Sequence, residues 1–234
     1  TALRHSFENP LEFQQTTHLA TVNLVHAALD LAEFKKFIFA STMETYGDQD
    51  QKTPFKEDLK LNPLSPYAVA KVASDYYIRM AGKAFDLPYF ILRCCNTYGR
   101  KDNAGFVVEY MITQMLKNEP VYIGSPDAVR DLMFVDDHVN AYVTALKSDV
   151  KNDVFNFSPS NAVSMKELAE KLKEITGYKK EIIFSFPPGY PSRPVVDPYL
   201  SLDATKAKSI LKWEPRFSLE EGLKKTVEYW RKNI

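Results

Sequence analysis

Apolar positions spaced for one buried helix face run through residues 11–30, 66–85 and 105–117, and short continuous apolar runs at 36–41 and 88–94 lie between them. Helices alternating with strands apolar on both faces predict a parallel α/β sheet. Beyond it the pattern predicts a short strand at 121–123, a helix begun by Asp136 or Asp137, a strand at 154–157, a helix at 164–176, a strand at 181–184 and two closing helices. The proline-rich stretch 186–198 reads as a long loop rather than a linker, because helical periodicity resumes after it. No repeat or low-complexity tract interrupts the chain.

With 234 residues, 45% of them hydrophobic, the chain is long enough to bury a sizeable core. Thirty basic residues balance thirty acidic ones. No global field then favours nucleic acid or an anionic membrane, and any anionic ligand must be met by arginines placed locally. No run approaches the roughly 18 apolar residues of a membrane span, and the first residues lack the pattern of a signal peptide, so a cytoplasmic protein is expected. Cys94 and Cys95 are adjacent at a strand end, where reduced, partly buried thiols are expected rather than a strained bond. His5, His18, His26 and His138 have no zinc-ligand spacing, and no metal site is expected.

The candidate chemistry lies in Ser41-Thr42-Met43-Glu44-Thr45-Tyr46-Gly47 and, twenty residues on, Tyr67-Ala68-Val69-Ala70-Lys71. Ser65 and Pro66 open the second helix, so Tyr67 and Lys71, four apart, emerge from one face. An ammonium beside a phenol favours phenolate. For Tyr67 to act as a base near neutrality its pKa must fall from about 10 to about 7, roughly 4 kcal/mol of differential stabilisation.

These segments, together with Arg93-x-x-Asn96-x-Tyr98-Gly99, Arg130-Asp131-x-x-x-Val135-x-Asp137, Arg193-Pro194 and Leu211-x-Trp213-x-Pro215, resemble the nucleotide-sugar epimerase/dehydratase branch of the extended short-chain dehydrogenases/reductases along nearly the whole chain. The resemblance implies a Rossmann-like doubly wound sheet. Residues 1–120 would be the later part of the NAD-binding domain, and 121–234 mainly a smaller α/β substrate-binding region with some segments returning to the sheet. It implies NAD, with NADP possible, and a nucleoside-diphosphate sugar oxidised to a 4-keto hexose. Thr42, Glu44, Tyr67 and Lys71 would be catalytic, Tyr67 and Lys71 would also contact cofactor, and Thr42, Asn96, Arg130 and Arg193 would bind substrate. A homodimer through helices 11–30 and 66–85 is implied as well.

Against the family pattern, Met43 stands where dehydratases place an aspartate or serine, and a thioether cannot donate a proton. Thr17 replaces an asparagine, Ala70 a serine and Arg100 a proline. Asp137 reads as a helix cap rather than a ligand. The family's glycine-rich phosphate turn has no counterpart among the 8 glycines here, so two to three βα units, on the order of 80 residues, are expected before Thr1, and residues 1–10 resemble the loop after a fourth strand. Glu44 tips the expected outcome toward a dehydratase-like reaction. The alternatives are a 4-epimerase, an NADPH-dependent 4-keto-sugar reductase and a silent cofactor-binding scaffold.

Overall fold

The computed structural model describes residues 3–50, 52–189 and 198–234. The chain opens with α1 (His5–Glu8) and α2 (Pro10–Phe13), which runs through a π-helical stretch, Gln14–Leu19, into α3 (Ala20–Leu29). Then come β1 (Phe37–Thr42), a 3₁₀ turn at Met43–Thr45, α4 (Pro66–Ala84), β2 (Tyr89–Cys94), β3 (Asn96–Tyr98) and α5 (Val107–Leu116). The second half contains β4 (Val129–Arg130), β5 (Leu132–Phe134), α6 (Val135–Lys147), β6 (Asp153–Phe157), β7 (Val163–Ser164), α7 (Met165–Thr176), β8 (Tyr199–Leu200), α8 (Thr205–Leu211) and α9 (Leu219–Arg231).

β1, β2 and β6 form one parallel sheet in the order β1-β2-β6, with every residue of β2 buried. Alternation along β2 divides the packing. Ile91 faces Val25, Ala28, Ile78 and Ala81 of α3 and α4, whereas Phe90 and Leu92 face Ala141 and Ala145 of α6 and Ala207 of α8. Helices on both faces make this the doubly wound, Rossmann-like arrangement expected. A second core joins α5, α7 and α9 through Met111, Ile112, Leu168, Leu172, Leu223 and Val227. Beside it lie the β3-β5 pair and the small β7-β4-β8 sheet.

Local signals explain the boundaries. The Ser65 hydroxyl accepts from the Ala68 amide with Pro66 in the first turn of α4. Ser164 with Glu167, and Ser218 with Glu221, close capping boxes on α7 and α9.

The expected strands at 121–123 and 181–184 are reduced to one bridge, Tyr122 to Ile183. Two backbone bonds are made, Ile123 N to Ile183 O and Ile183 N to Val121 O, both 2.9 Å, before Ser185 folds back onto the Ile183 carbonyl. Residues 5–8, expected as loop, are helical. Asp137 does not cap α6. Its buried carboxylate accepts from the amides of Arg216 and Phe217, at 3.0 and 3.1 Å, and so ties α6 to the entrance of α9. The proline-rich loop's residues 190–197, Arg193 among them, lie outside the described residues.

Candidate active site

β1 carries Ser41 and Thr42 to its carboxyl end, where the backbone tightens at once. The Thr42 hydroxyl accepts from the Glu44 amide at 3.3 Å and the Thr45 hydroxyl donates to the Thr42 carbonyl at 2.7 Å. Gly47 then turns the chain with φ +58°, and a Cβ there would lie 1.7 Å from the Asn62 carbonyl oxygen. The loop that follows is pinned by Phe55, buried between Tyr46 and Tyr199. It returns the chain to Ser65, so the first turn of α4 stands beside the end of β1.

Tyr67 and Lys71 emerge there together. Lys71 Nζ donates to the Ala40 carbonyl at 2.7 Å and lies 4.8 Å from the Phe39 ring centroid and 5.8 Å from that of Tyr67. Phe13 meets Tyr67 edge-on at 6.3 Å, and the Gln14 amide donates to the Pro66 carbonyl at 3.2 Å. The π-helical stretch therefore packs against the end of α4 that carries Tyr67 and Lys71. Within it the Thr17 carbonyl accepts from the Thr21 and Ser74 hydroxyls.

The electrostatics differ from expectation. Tyr67 is pushed up to about 12, first by burial and then by the negative charge of Glu44, with the Thr42 hydroxyl pulling the other way. Lys71 is lowered to about 8 by burial. The ammonium does not bring the phenol toward neutrality, because it is desolvated itself and turned onto the Ala40 carbonyl while Glu44 adds an opposing field.

The sign of the Lys71 shift gives a stability prediction. With a folded value below 10.5, the unfolded chain binds more protons between about 8 and 10.5, so this residue's contribution improves as pH rises through that window. Lys71→Met should then melt no lower than the parent at pH 7 and lose its advantage above pH ~10, while turnover is lost. Thermal melts across that range check it.

Glu44 is buried, on the turn beside Thr42. Met43 is fully buried and packs into the core with Tyr46, Phe90 and Leu92. Asn96 lies on β3, paired with Leu132. Arg130 is buried on β4, its Nη1 donating to the Val129 carbonyl at 2.7 Å. Neighbouring Asp131 accepts from the hydroxyls of Ser158 and Ser201 and the Leu202 amide, which fixes β4 beside β8. The fold thus brings Thr42, Glu44, Tyr67 and Lys71 together at the end of β1, while Arg130 is set in the small β7-β4-β8 sheet.

Two features behind the site were not anticipated. Arg93, 1% exposed, donates to Asp75 of α4 at 2.9 and 3.1 Å, to the Tyr46 hydroxyl at 3.0 Å and to the Glu57 carbonyl at 3.2 Å. The Tyr46 hydroxyl in turn donates to Asn156 at 2.7 Å. This network locks the turn after β1 to β2, β6 and α4. On α6, His138 and Tyr142 stack below the ends of β2 and β3. Cys94 and Cys95 are buried free thiols whose ionisation is suppressed by burial.

The donor set at the end of β1 suits the nicotinamide-ribose end of a dinucleotide. Lys71 has N–H donors beyond the one used on Ala40, and the buried Ser41 hydroxyl has no partner among the described residues. The crevice outside the carboxyl ends of parallel strands is where doubly wound sheets bind such ligands. This combination of fold and side chains defines the short-chain dehydrogenase/reductase class.

Comparison with known proteins narrows the class. The GDP-mannose 4,6 dehydratase family model matches residues 1–226. The crystal structure of UDP-glucose 4-epimerase with UDP-glucose from Thermotoga maritima superposes with a TM-score of 0.90 at 35% identity, covering 99% of this chain and 74% of that one. The low-salt glycan biosynthesis protein Agl12 of Haloferax volcanii is 33% identical over 221 residues, 93% of this chain and 68% of its own. The dTDP-glucose 4,6-dehydratase of Haemophilus influenzae is 29% identical over 245 residues, 96% of this chain and 72% of its own. The chain belongs to the NAD-dependent nucleotide-sugar epimerase/dehydratase family of extended short-chain dehydrogenases/reductases. Among the described residues, no helix is long and apolar enough to cross a membrane.

Proposed function

We propose that the chain oxidises a nucleoside-diphosphate hexose at C4 and works through the resulting 4-keto sugar, with a dehydratase-like course favoured. The observation that carries this is the convergence of Thr42, Glu44, Tyr67 and Lys71 at the end of β1. Bound NAD(P) supplies the hydride acceptor and, when oxidised, a positive charge. Tyr67 takes the C4 hydroxyl proton once such a charge offsets its burial and the field of Glu44, Thr42 orients that hydroxyl, and Lys71 holds the ribose and the phenol in register. Arg130 and Arg193 meet the nucleotide diphosphate, a task suited to permanently charged guanidinium forks, and Asn96 contacts the substrate through its amide. Residues 1–120 serve the cofactor and 121–234 mainly the substrate.

Glu44 is close enough to Tyr67 for its charge to act on the phenol, a position from which a carboxylate can take the C5 proton made acidic by a 4-ketone. Met43 favours a second reading, simple 4-epimerisation, because its side chain is sealed in the core and supplies no acid for loss of a C6 hydroxyl. Glu44→Gln separates them. A dehydratase-like enzyme should lose solvent deuterium incorporation at C5 while still forming NADH and the 4-keto sugar. An epimerase should keep most of its activity, with no C5 deuterium in either protein. C5 exchange undiminished in the variant rules out Glu44 as the base.

Assembly follows from α2 to α4. Leu11, Leu19 and Leu24 on the first helical run, and Val69, Tyr76 and Met80 on α4, are exposed apolar side chains on two neighbouring helices. We read them as a homodimer face, for which a stable contact needs on the order of 1,200 Å² or more. Light scattering at micromolar concentration should give twice the chain mass, and Leu24→Glu with Tyr76→Glu should halve it.

A further inference from the structure

Across the end of β2 from Tyr67, α6 offers a second phenol. Tyr142 stacks on His138 with centroids 5.2 Å apart and planes 12° from parallel. His138 is tethered through Nδ1 to the Thr97 hydroxyl on β3, one residue beyond Asn96. Tyr142 also packs against the cluster that contains Met43, Cys94 and Cys95, and Cys94 is the strand partner of Thr42. The phenol is therefore held, by its stack and its tether, beneath the strand ends that carry the catalytic turn.

Its hydroxyl is still available. Tyr142 is partly buried, and its hydroxyl makes no hydrogen bond among the described residues. Burial, then Cys94, then Tyr67 push its ionisation upward, so it remains a neutral donor at any working pH and lies within electrostatic reach of the catalytic phenol. A polar group in such a place is made for a ligand or a water.

We propose that Tyr142 is a further binding residue of this pocket, donating its hydroxyl to the carboxamide-bearing nicotinamide end of the dinucleotide, with His138 and Thr97 as its positioning residues. The inference rests on the cofactor reading above. Two observations favour cofactor over sugar. Tyr142 comes from the sheet face opposite α4, so the two phenols bracket the crevice outside the strands. Arg130, read as meeting the substrate diphosphate, lies on β4 in the separate β7-β4-β8 sheet. A carboxamide oxygen is a good acceptor for a neutral phenol.

The test is calorimetric titration of the full-length protein with NAD and with ADP-ribose, which lacks the nicotinamide. Tyr142→Phe keeps the stack and removes one donor, so its Kd for NAD should rise about 3- to 10-fold, the range of one hydrogen bond, while its Kd for ADP-ribose stays at the parent value. Thr97→Val, which cuts the tether of His138, should move the NAD value the same way by less. Unchanged NAD affinity in Tyr142→Phe overturns the proposal, as does equal weakening toward ADP-ribose, which would mark a structural role. Weakened binding of a nucleotide-sugar with NAD affinity intact would also overturn it and place the phenol on the substrate side. If the parent binds neither NAD nor ADP-ribose, the cofactor reading fails and this inference with it.

Discussion

Tyr67→Phe is expected to reduce turnover by about 100-fold or more while leaving the fold intact, because it deletes one proton-transferring oxygen and little packing. The ring keeps its edge contact with Phe13 and its place near Lys71. Circular dichroism and melting temperature should match the parent. The phenol's value of about 12 adds a feature to the expectation: the residual rate of the variant should lack any rise with pH that the parent shows as its phenol titrates during turnover. A variant within a few-fold of the parent across pH would remove Tyr67 from the chemistry.

The second large effect lies in stability. Arg93→Met should destabilise the protein by about 3–5 kcal/mol, since it leaves the carboxylate of Asp75 buried without its guanidinium. Among the described residues Asp75 retains only the longer contact with Arg79, at 3.7 Å. Replacing both partners, Arg93→Met with Asp75→Leu, should recover most of that loss, because an apolar pair of similar volume carries no desolvation penalty. Urea unfolding of the single and double variants measures the coupling directly. A single variant within about 1 kcal/mol of the parent would show the pair to be incidental.

Much of this architecture was readable from residue order. Ser65-Pro66 announces α4 because a hydroxyl and a ring that needs no N–H satisfy the orphan donors of a helix start, and the boxes at Ser164 and Ser218 work in the same way. The run at 36–41 was legible as a strand, since its four consecutive apolar residues, Phe37 to Ala40, are too few for a helix and suit a strand buried between helices. The same logic overreached at 121–123 and 181–184. Val121, Ile123 and Ile182 are apolar because they are buried, while Ile183 and Phe184 are exposed, and one residue pair aligns well enough to bridge. Asp137 carries the composition of a helix cap, yet its carboxylate answers amides of Arg216 and Phe217 some eighty positions away, which no local pattern encodes.

The catalytic turn was legible for a comparable reason. Tyr67 and Lys71 are fixed on one helix face by periodicity, and Thr42 and Glu44 by the end of an obvious strand. Their electrostatics were not, because the value of a buried phenol depends on the direction of neighbouring charges, and Lys71 points to the Ala40 carbonyl. Tyr142 was hidden among the ordinary amphipathic positions of α6. Arg93 stood in the Arg93-x-x-Asn96-x-Tyr98-Gly99 motif, but its pairing with Asp75 on α4 is set by packing across the sheet that no local pattern encodes.

The central claim is that catalysis begins by breaking the C4–H bond of a nucleotide-sugar. It is tested most directly by incubating the protein and NAD with nucleotide-sugars deuterated at C4 and reading the products by NMR and mass. The account predicts that the label leaves its original position, returning to C4 with inverted configuration or arriving at C6 with loss of water. Product in which deuterium stays on C4 with its configuration retained would contradict it.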